Sequence, residues 1–171
     1  HRALTAGEVL EDEAQAQVVE LLDELHRQLS RQTPKPANLL MRLFIKWSGG
    51  SKNALQQQAR GLYIWGGVGR GKTMLMDMFC SALPSQRGQR MHFHRFMRRV
   101  HDGLGRHSGQ ANPLLKVADE IAAEGDVLCF DEFFVSDIGD AMILGEVMKA
   151  LFQRGVTLIA TSNVEPANLY K

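Results

Sequence analysis

The chain has 171 residues, which is enough for one α/β domain with its own hydrophobic core. Hydrophobic residues make up 44% and charged residues 23%, as in ordinary globular proteins, and the net charge of +1 gives no reason by itself to expect nucleic acid. No apolar run approaches the roughly 20 residues of a membrane span, and no signal-peptide pattern opens the chain. Cys80 and Cys129 form no metal-binding spacing, so we expect two buried thiols in a reducing compartment.

The first 60 residues are predicted to form a helical segment and a linker. Thr5–Glu8 has the form of a capping box, and apolar residues from Val18 to Leu29 then recur at helical spacing. This amphipathic helix is expected to end near Ser30, because prolines follow it. The stretch Leu39–Trp47 has helical spacing and a basic face, which fits either a half-buried surface helix or a peripheral contact with a membrane or partner.

A glycine-rich loop follows the apolar strand predicted at Leu62–Trp65 and precedes a helix predicted over 73–83. It has the form GxxxxGK[ST], in which tight turns point backbone N–H groups at an anion and the helix N-terminus adds positive charge. Lys72 can reach the β- and γ-phosphates of a nucleotide, and the Thr73 hydroxyl can bind Mg²⁺. The predicted nucleotide contacts are Gly66, Gly67, Val68, Gly69, Arg70, Gly71, Lys72, Thr73 and Met74.

Strands and helices alternate through the rest of the chain. The predicted elements are a strand at 90–94, a helix at 113–124, a strand at 126–131, a helix at 140–153 and a strand at 156–161. Asn112 is the expected cap of the first helix, Gly155 the stop of the second, and Glu165 the start of a last helix. The alternation predicts an α/β fold: a three-layer P-loop NTPase domain with a parallel sheet, preceded by the N-terminal helix.

The segment Arg87–His107 is strongly basic, with Asp102 as its one acidic residue. Phe96 and Val100 recur at helical spacing within it and are expected to face the core. The basic side chains fit a subunit interface or protein-substrate surface, a contact with nucleic-acid phosphates, or a solvated helix face balanced by the acidic first helix. The sequence leaves these three roles open.

Polar side chains follow two of the predicted strands. Asp131 and Glu132 come directly after a buried strand, and Asn163 lies just beyond the next one. Because the carboxyl ends of parallel strands meet at one edge of a sheet, these side chains are expected to share a crevice with the phosphate loop. Asp131 is expected to hold Mg²⁺, mostly through water, with Thr73 on the other side of the metal.

The predicted catalytic residues are Lys72, Glu132 and Asn163. A carboxylate at Glu132 can orient and deprotonate the attacking water, and the Asn163 amide can lie between that water and the γ-phosphate. The base-reading Asn-Lys-x-Asp segment of a GTPase is absent. A small-molecule kinase has no need of a glutamate directly after the metal-binding aspartate, so the pattern favours hydrolysis of ATP.

Four segments carry a family resemblance. They are GLYIWGGVGRGKT at Gly61–Thr73, HFHRFM at His92–Met97, LCFDEFFVSD at Leu128–Asp137 and ATSN at Ala160–Asn163. Together they resemble the ZapE cell-division ATPases, which belong to the AAA+ superfamily and have mitochondrial relatives. The resemblance extends from about residue 8 to the end of the chain, and its second and third segments are long and specific.

The resemblance implies an AAA+ core at 61–171 that uses ATP and Mg²⁺. Gly66–Thr73 would be the Walker A loop, Asp131 and Glu132 the Walker B pair, and Asn163 the first sensor. It further implies a cytoplasmic protein, recruited to the inner membrane at the division site, that acts on the division-ring protein FtsZ and reduces the stability of its polymers. Self-association through the ATP site is expected in the full-length chain, and a nucleic-acid partner is not.

The site is expected to be incomplete within this chain. In the family that this chain resembles, the arginine finger and the helical lid lie beyond the point that corresponds to residue 171. We therefore expect the N-terminal part of a longer protein, truncated before the lid, with a start trimmed at His1. Arg154 precedes the sensor strand, which is the wrong place for an arginine finger. Because such a finger contributes about 10³–10⁵ in rate, the chain alone is expected to bind ATP with little turnover.

Two other functions use the same motifs. One is a helicase-loader-type AAA+ ATPase that acts on nucleic-acid-bound partners. The other is a nucleotide-binding scaffold without turnover. Salt-dependent DNA binding would distinguish the first from a protein-remodelling ATPase, and hydrolysis would exclude the second.

Overall fold

The computed structural model describes residues 13–31, 61–84 and 87–169. The predicted capping box at Thr5–Glu8 and the basic stretch Leu39–Trp47 lie outside these residues. The division into a segment at 1–60 and a core at 61–171 stays a prediction.

The described residues alternate between helices and strands, as the sequence predicts. In chain order the elements are α1 (Glu13–Arg31), β1 (Leu62–Trp65), α2 (Lys72–Ala82), β2 (Gly88–His92), α3 (Phe93–Arg106), α4 (Pro113–Glu124), β3 (Val127–Asp131), α5 (Ile138–Gln153), β4 (Thr157–Ser162) and a 3₁₀ helix (Pro166–Asn168).

The four strands form one parallel sheet in the order β1-β4-β3-β2. Leu62 lies opposite Ile159, Ile159 opposite Cys129, and Asp131 opposite His92. The chain therefore crosses from one edge of the sheet to the other after β1 and works back, so that β4 comes to lie between β1 and β3. This order places the ends of β1, β4 and β3 side by side.

Helices cover both faces of the sheet, which confirms the predicted three-layer α/β class. Successive residues of β3 point to opposite faces, and all five are buried. Val127 and Cys129 join the core on the side of α1 and α2, whereas Leu128 and Phe130 join the core on the side of α3, α4 and α5. A strand that is buried on both faces has to be apolar throughout, and this strand is apolar until Asp131.

Helix α1 packs on the sheet through one apolar stripe. Leu22, Leu25 and Leu29 are 5%, 3% and 1% exposed and lie in the same core cluster as the buried residues of α2. The His26 ring also hydrogen bonds with the carbonyl oxygen of Ala82, at 3.2 Å, at the end of α2. The predicted amphipathic helix is thus confirmed, and it forms part of the layer that supports the phosphate loop.

Two predicted boundaries are wrong. The strand predicted at 90–94 ends at His92, and Phe93 begins α3 because its ring packs between β3 and the loop that follows, 5.6 Å from the Phe130 ring and 4.6 Å from the Phe133 ring. Helix α5 begins at Ile138 rather than residue 140, because the Asp137 carboxylate accepts a hydrogen bond from the Asp140 N–H at 3.1 Å.

Asn112 does not cap α4 through its side chain, which corrects a further prediction. Its φ of 52° lies in the left-handed region, and its side chain makes no capping hydrogen bond. Pro113 still begins the helix, where its missing N–H and restricted φ are compatible with the first turn. The position of this helix start was therefore predicted correctly, but the role of Asn112 was not.

Within the described residues, the basic segment forms ion pairs with carboxylates on α2, α4 and α5 and beside both ends of β3. Arg99 pairs with Glu124, and Arg106 pairs with Glu120 at 2.8 Å. Arg87 is buried and forms a two-point pair with Asp126 at 2.9 and 2.6 Å. Helices α3 and α4 pack against each other, which brings these opposite charges together although they are distant in sequence. As predicted, Phe96 and Val100 are core residues.

Two further expectations concern the cysteines and membrane spans. Cys129 is buried as predicted, whereas Cys80 is only half-buried, which corrects the prediction of two buried thiols; both are free thiols. Within the described residues, none of the helices combines the length and hydropathy that crossing a bilayer requires.

Two glycines of α3 provide a matched test of the packing between α3 and α4. A Cβ on Gly103 would lie 2.6 Å from a methyl group of Val117, whereas a Cβ on Gly105 would meet nothing within 4 Å. We expect Gly103→Ala to lower the free energy of unfolding by about 1–3 kcal/mol, because the β-branched Val117 cannot turn aside. Gly105→Ala should raise it by up to about 1 kcal/mol. Urea unfolding followed by circular dichroism measures both, and equal effects would contradict the described contact.

Candidate nucleotide-binding site

A cleft of roughly 270 Å³ lies at the carboxyl ends of the strands. It brings together the phosphate loop, the two acids after β3 and the asparagine after β4, as the sequence predicts. The lining residues are Val68, Gly69, Arg70, Gly71, Lys72, Thr73, Met74, Asp131, Glu132, Thr161, Ser162 and Asn163. Parallel strands place these side chains at one edge, and the position of β4 between β1 and β3 makes them neighbours.

The phosphate loop has the backbone of an anion-binding turn. Gly69 and Gly71 have φ values of 80° and 74°, in the left-handed region that residues with a Cβ rarely occupy. The Gly66 N–H continues the pairing with β4 by donating to the Ser162 carbonyl oxygen at 3.3 Å. The N-cap residue of α2 is Gly71, which has no side chain to cap the helix, and the first N–H groups and positive dipole end of α2 lie at the cleft that Gly71, Lys72 and Thr73 line.

Lys72 is held against the loop that it belongs to. Its ammonium group donates hydrogen bonds to the carbonyl oxygens of Gly66 and Gly67, each at 2.7 Å. Partial burial lowers the pKa of Lys72 below the usual lysine value, and the negative charge of Asp131 opposes that shift. The cation is therefore positioned at the cleft by weak neutral acceptors, which a phosphate group can replace.

Asp131 is a buried carboxylate at the centre of a set of donors. It is 5% exposed, and its Oδ1 accepts hydrogen bonds from the hydroxyls of Thr73 at 3.3 Å and Thr161 at 2.7 Å. Its Oδ2 accepts from the Arg90 guanidinium at 3.2 Å. Thr73 and Asp131 were predicted from the sequence. Thr161 and Arg90 were not, although Thr161 stands in the polar Thr161-Ser162-Asn163 end of β4.

The oxygen atoms in the cleft suit a magnesium ion that is shared with a phosphate. The Thr73 hydroxyl and the Asp131 carboxylate are hard oxygen donors within hydrogen-bonding distance of each other. Among the described residues, no group of three acidic, histidine or cysteine side chains can hold a metal by itself. This combination fits Mg²⁺, which usually binds through one or two protein oxygens, several waters and the phosphates of its substrate.

Glu132 occupies a strained backbone position beside the buried aspartate. Its φ is 56°, in the left-handed region, and such a conformation costs about 1–3 kcal/mol in a residue with a side chain. The next residue fixes it, because the Phe133 N–H donates to the Thr161 carbonyl and the Ser162 hydroxyl donates to the Phe133 carbonyl, each at 2.7 Å. The carboxylate is consequently exposed to the cleft, with one oxygen 3.9 Å from His92 Nδ1.

Asn163 extends from the end of β4 into the same cleft. Its side chain is exposed, and the chain just after it is fastened to β1 by the Tyr63 hydroxyl, which donates to the Val164 carbonyl oxygen at 2.7 Å. Arg154 lies elsewhere. It pairs with Asp119 at 2.8 Å and donates to the backbone carbonyls of Ala150 and Leu115.

Gln15 connects α1 to the phosphate loop, a contact that the sequence analysis did not identify. Its amide nitrogen donates to the Arg70 carbonyl oxygen at 3.2 Å, and the same nitrogen lies 3.5 Å from where a Cβ on Gly71 would be. Its amide oxygen is buried and has no hydrogen-bond partner among the described residues. Helical spacing assigned Gln15 only to a polar helix face, and a contact over 55 positions has no signal in one sequence.

We expect Gln15→Ala to weaken nucleotide binding about 3–10-fold, because the loop loses a neutral hydrogen bond worth about 0.5–1.5 kcal/mol. Fluorescent-nucleotide titration measures the affinity. Gln28→Ala is the matched control, because Gln28 lies on the same helix and bonds only to Glu24 among the described residues. An unchanged affinity in Gln15→Ala would show that α1 does not support the loop.

Comparison with known proteins gives the family context of this cleft. The family described as AFG1-like ATPase matches residues 1–171. The chain is 51% identical over 173 aligned residues to the cell division protein ZapE of Escherichia coli K12, and the alignment covers 99% of this chain and 46% of that protein. It is 46% identical over 123 residues to lactation elevated protein 1 homolog B of Danio rerio, with 66% of this chain and 24% of that protein covered. The chain thus spans less than half the length of these curated relatives.

Among solved structures, the chain is similar to domain III of the replication initiation protein DnaA from Thermotoga maritima. The TM-score is 0.62 at 18% identity, with 94% of this chain and 56% of that chain covered. At this identity the similarity concerns the fold alone, which is that of AAA+ P-loop ATPase domains.

Proposed function

The chain belongs to the AFG1-like ATPase family, and on this premise we propose that its cleft binds ATP with Mg²⁺ and hydrolyses it to ADP and phosphate. The observation that carries the proposal is the contact between Thr73 of the phosphate loop and Asp131 of β3, which are 58 positions apart and only 3.3 Å from each other. A glycine-rich turn that binds no ligand would not explain why a buried carboxylate, a glutamate and an asparagine line the same cleft.

The phosphates are bound by the loop backbone and by Lys72. Backbone N–H groups at the start of α2 face the anion, and the Lys72 ammonium exchanges the Gly66 and Gly67 carbonyls for the β- and γ-phosphate oxygens. A phosphate oxygen carries a full charge, so its hydrogen bond with lysine is stronger than one with a neutral carbonyl. Met74, which lines the cleft and is half-buried, supplies an apolar contact beside the loop.

Thr73 and Asp131 would hold the metal ion, the first through its hydroxyl and the second mostly through water. When bound, Mg²⁺ neutralises the developing charge on the phosphate oxygens. Asp131 is suited to this task because Thr161 already fixes its orientation, at 2.7 Å, before a ligand arrives. The carboxylate therefore needs little reorganisation, which favours electrostatic stabilisation of the transition state.

Glu132 would take the proton from the attacking water while that water forms its bond to the γ-phosphorus and ADP leaves. Its exposed carboxylate is next to Asp131 in the chain and is aimed at the cleft by the left-handed backbone. Asn163 would donate its amide hydrogens to the γ-phosphate and accept a hydrogen bond from the same water. His92, 3.9 Å from Glu132, would restrain the glutamate side chain.

We expect Glu132→Gln to keep ATP affinity within about threefold and to reduce turnover about 10²–10⁴-fold, because the amide can still occupy the site but cannot accept the proton. Lys72→Ala should instead lose nucleotide binding. Equilibrium nucleotide binding and phosphate release measure the two effects on the full-length protein with Mg²⁺ present, because this chain alone is expected to turn over little ATP. Normal phosphate release by Glu132→Gln would contradict the assignment of the general base.

We propose that the protein uses ATP hydrolysis to act on a protein partner in cell division. Two observations support this: the 51% identity to a cell division protein, and a run of exposed apolar side chains directly after Glu132. Phe134, Ile138 and Met142 are 54%, 62% and 71% exposed, and side chains of this kind next to a site commonly mark a protein contact. The family resemblance makes FtsZ the candidate partner, with self-association through the ATP site and recruitment from the cytoplasm to the inner membrane.

We expect the protein with Mg-ATP to reduce the amount of FtsZ that sediments as polymer, and the Lys72→Ala variant to have no effect. Pelleting assays with and without ATP measure this.

A helicase loader would instead bind DNA. Arg95 and Arg98 would contact the phosphates, because both are exposed on α3, whereas Arg99 is neutralised by Glu124. Salt-dependent DNA binding that is lost in Arg95→Gln/Arg98→Gln, but kept in Arg27→Gln on α1, would favour that alternative.

A further inference from the structure

Arg90 bridges two carboxylates behind the phosphate loop. One guanidinium nitrogen of this β2 residue lies 2.8 Å from Asp77 of α2 and 3.2 Å from Asp131 of β3. The Asp77 side chain is 52% exposed, whereas the Asp131 side chain is 7% exposed. Arg90 thus reaches from solvent to the buried oxygen of Asp131 that neither Thr73 nor Thr161 contacts.

The placement of this cation has an electrostatic reason. A buried carboxylate without a counter-charge is strongly unfavourable, and two hydroxyl donors on a single oxygen do not neutralise it. Lys72 acts on Asp131 by its charge, but its own hydrogen bonds go to Gly66 and Gly67. Arg90 therefore forms the direct ion pair of Asp131 in this structure.

We propose that Arg90 is a positioning residue that replaces the charge of the metal ion at Asp131 whenever the cleft holds no Mg-ATP. This inference rests on the proposed function, because it takes Asp131 as the metal-binding carboxylate. The guanidinium holds Oδ2 and the two threonines hold Oδ1, so the carboxylate keeps one orientation with and without ligand. Asp77 holds the guanidinium in turn, and a planar group with two N–H bonds on one nitrogen can serve both acids at once.

A consequence is that Arg90 makes the site insensitive to divalent cations in the absence of nucleotide. Without Arg90, the oxygens of Asp77 and Asp131 would face each other with no cation between them. Two carboxylates in this arrangement attract Mg²⁺ directly or through water. The wild-type protein should therefore show little change of melting temperature with Mg²⁺ alone, whereas a variant without the guanidinium should respond.

The experiment compares melting temperatures of the protein without nucleotide, in EDTA and in about 10 mM Mg²⁺. Weak carboxylate sites fill at this concentration. We expect Arg90→Met to lower the melting temperature in EDTA by about 2–8 °C, and Mg²⁺ to restore roughly half of that loss. Arg90→Lys keeps a cation at the site and should not respond to Mg²⁺. Arg99→Met removes a guanidinium–carboxylate pair away from the cleft, the one with Glu124, and should be equally insensitive to Mg²⁺.

The outcomes separate this inference from the proposed function. Wild-type ATP binding in Mg²⁺ and in EDTA tests the metal site, and equal affinities would overturn the role of Asp131 itself. If that binding depends on Mg²⁺ but Arg90→Met melts identically with and without the metal, the role of Arg90 is overturned. If Arg90→Met does not fold in EDTA, its recovery as folded protein in Mg²⁺ supports the inference, and failure in both media contradicts it.

Discussion

The Asp131 carboxylate is a buried anion, and the surrounding structure is arranged to stabilise it. Thr73 from the phosphate loop, Thr161 from β4 and Arg90 from β2 all donate to it. These donors come from three different elements, so the carboxylate also joins the loop to two neighbouring strands. A charge at this depth is unfavourable unless every donor is present. The fold therefore has to be complete around β3 before the cleft exists, and any group that binds in the cleft does so next to an acid that is already oriented.

The order of the strands explains why one edge of the sheet can hold such a set. Because β4 lies between β1 and β3, Asn163 emerges between the phosphate loop and the acids. The same order lets the hydroxyl of Ser162 hold the Phe133 carbonyl, which in turn maintains the left-handed conformation of Glu132. Strain at Glu132 is thus balanced by hydrogen bonds within the sheet. Its exposed side chain is aimed by rigid neighbours, which suits the role of proton acceptor proposed for Glu132.

The two helical layers have different tasks. Helices α3, α4 and α5 bury a large aromatic core in which Phe93 packs against Phe130 and Phe133, and this core sets the position of the loop after β3. On the other face, α1 and α2 form a smaller layer that supports the phosphate loop from behind. Gln15 reaches that loop from α1, so the N-terminal helix contributes to the cleft as well as to the core. The exposed apolar side chains after Glu132, Phe134 of the loop and Ile138 and Met142 of α5, are buried in neither layer.

The sequence by itself determined the element types, the three-layer class and the residues of the phosphate loop, because periodicity and a glycine pattern act over short distances. It also identified Asp131, Glu132 and Asn163, since polar residues after apolar strands mark strand ends. Only the tertiary structure decided that Phe93 begins a helix, that Asp137 caps α5 so that it begins at Ile138, and that Arg99 and Arg106 are neutralised by α4. Gln15, Arg90 and Thr161 likewise became visible only in three dimensions, because each contact joins residues that the chain keeps far apart and the folding of the sheet brings together.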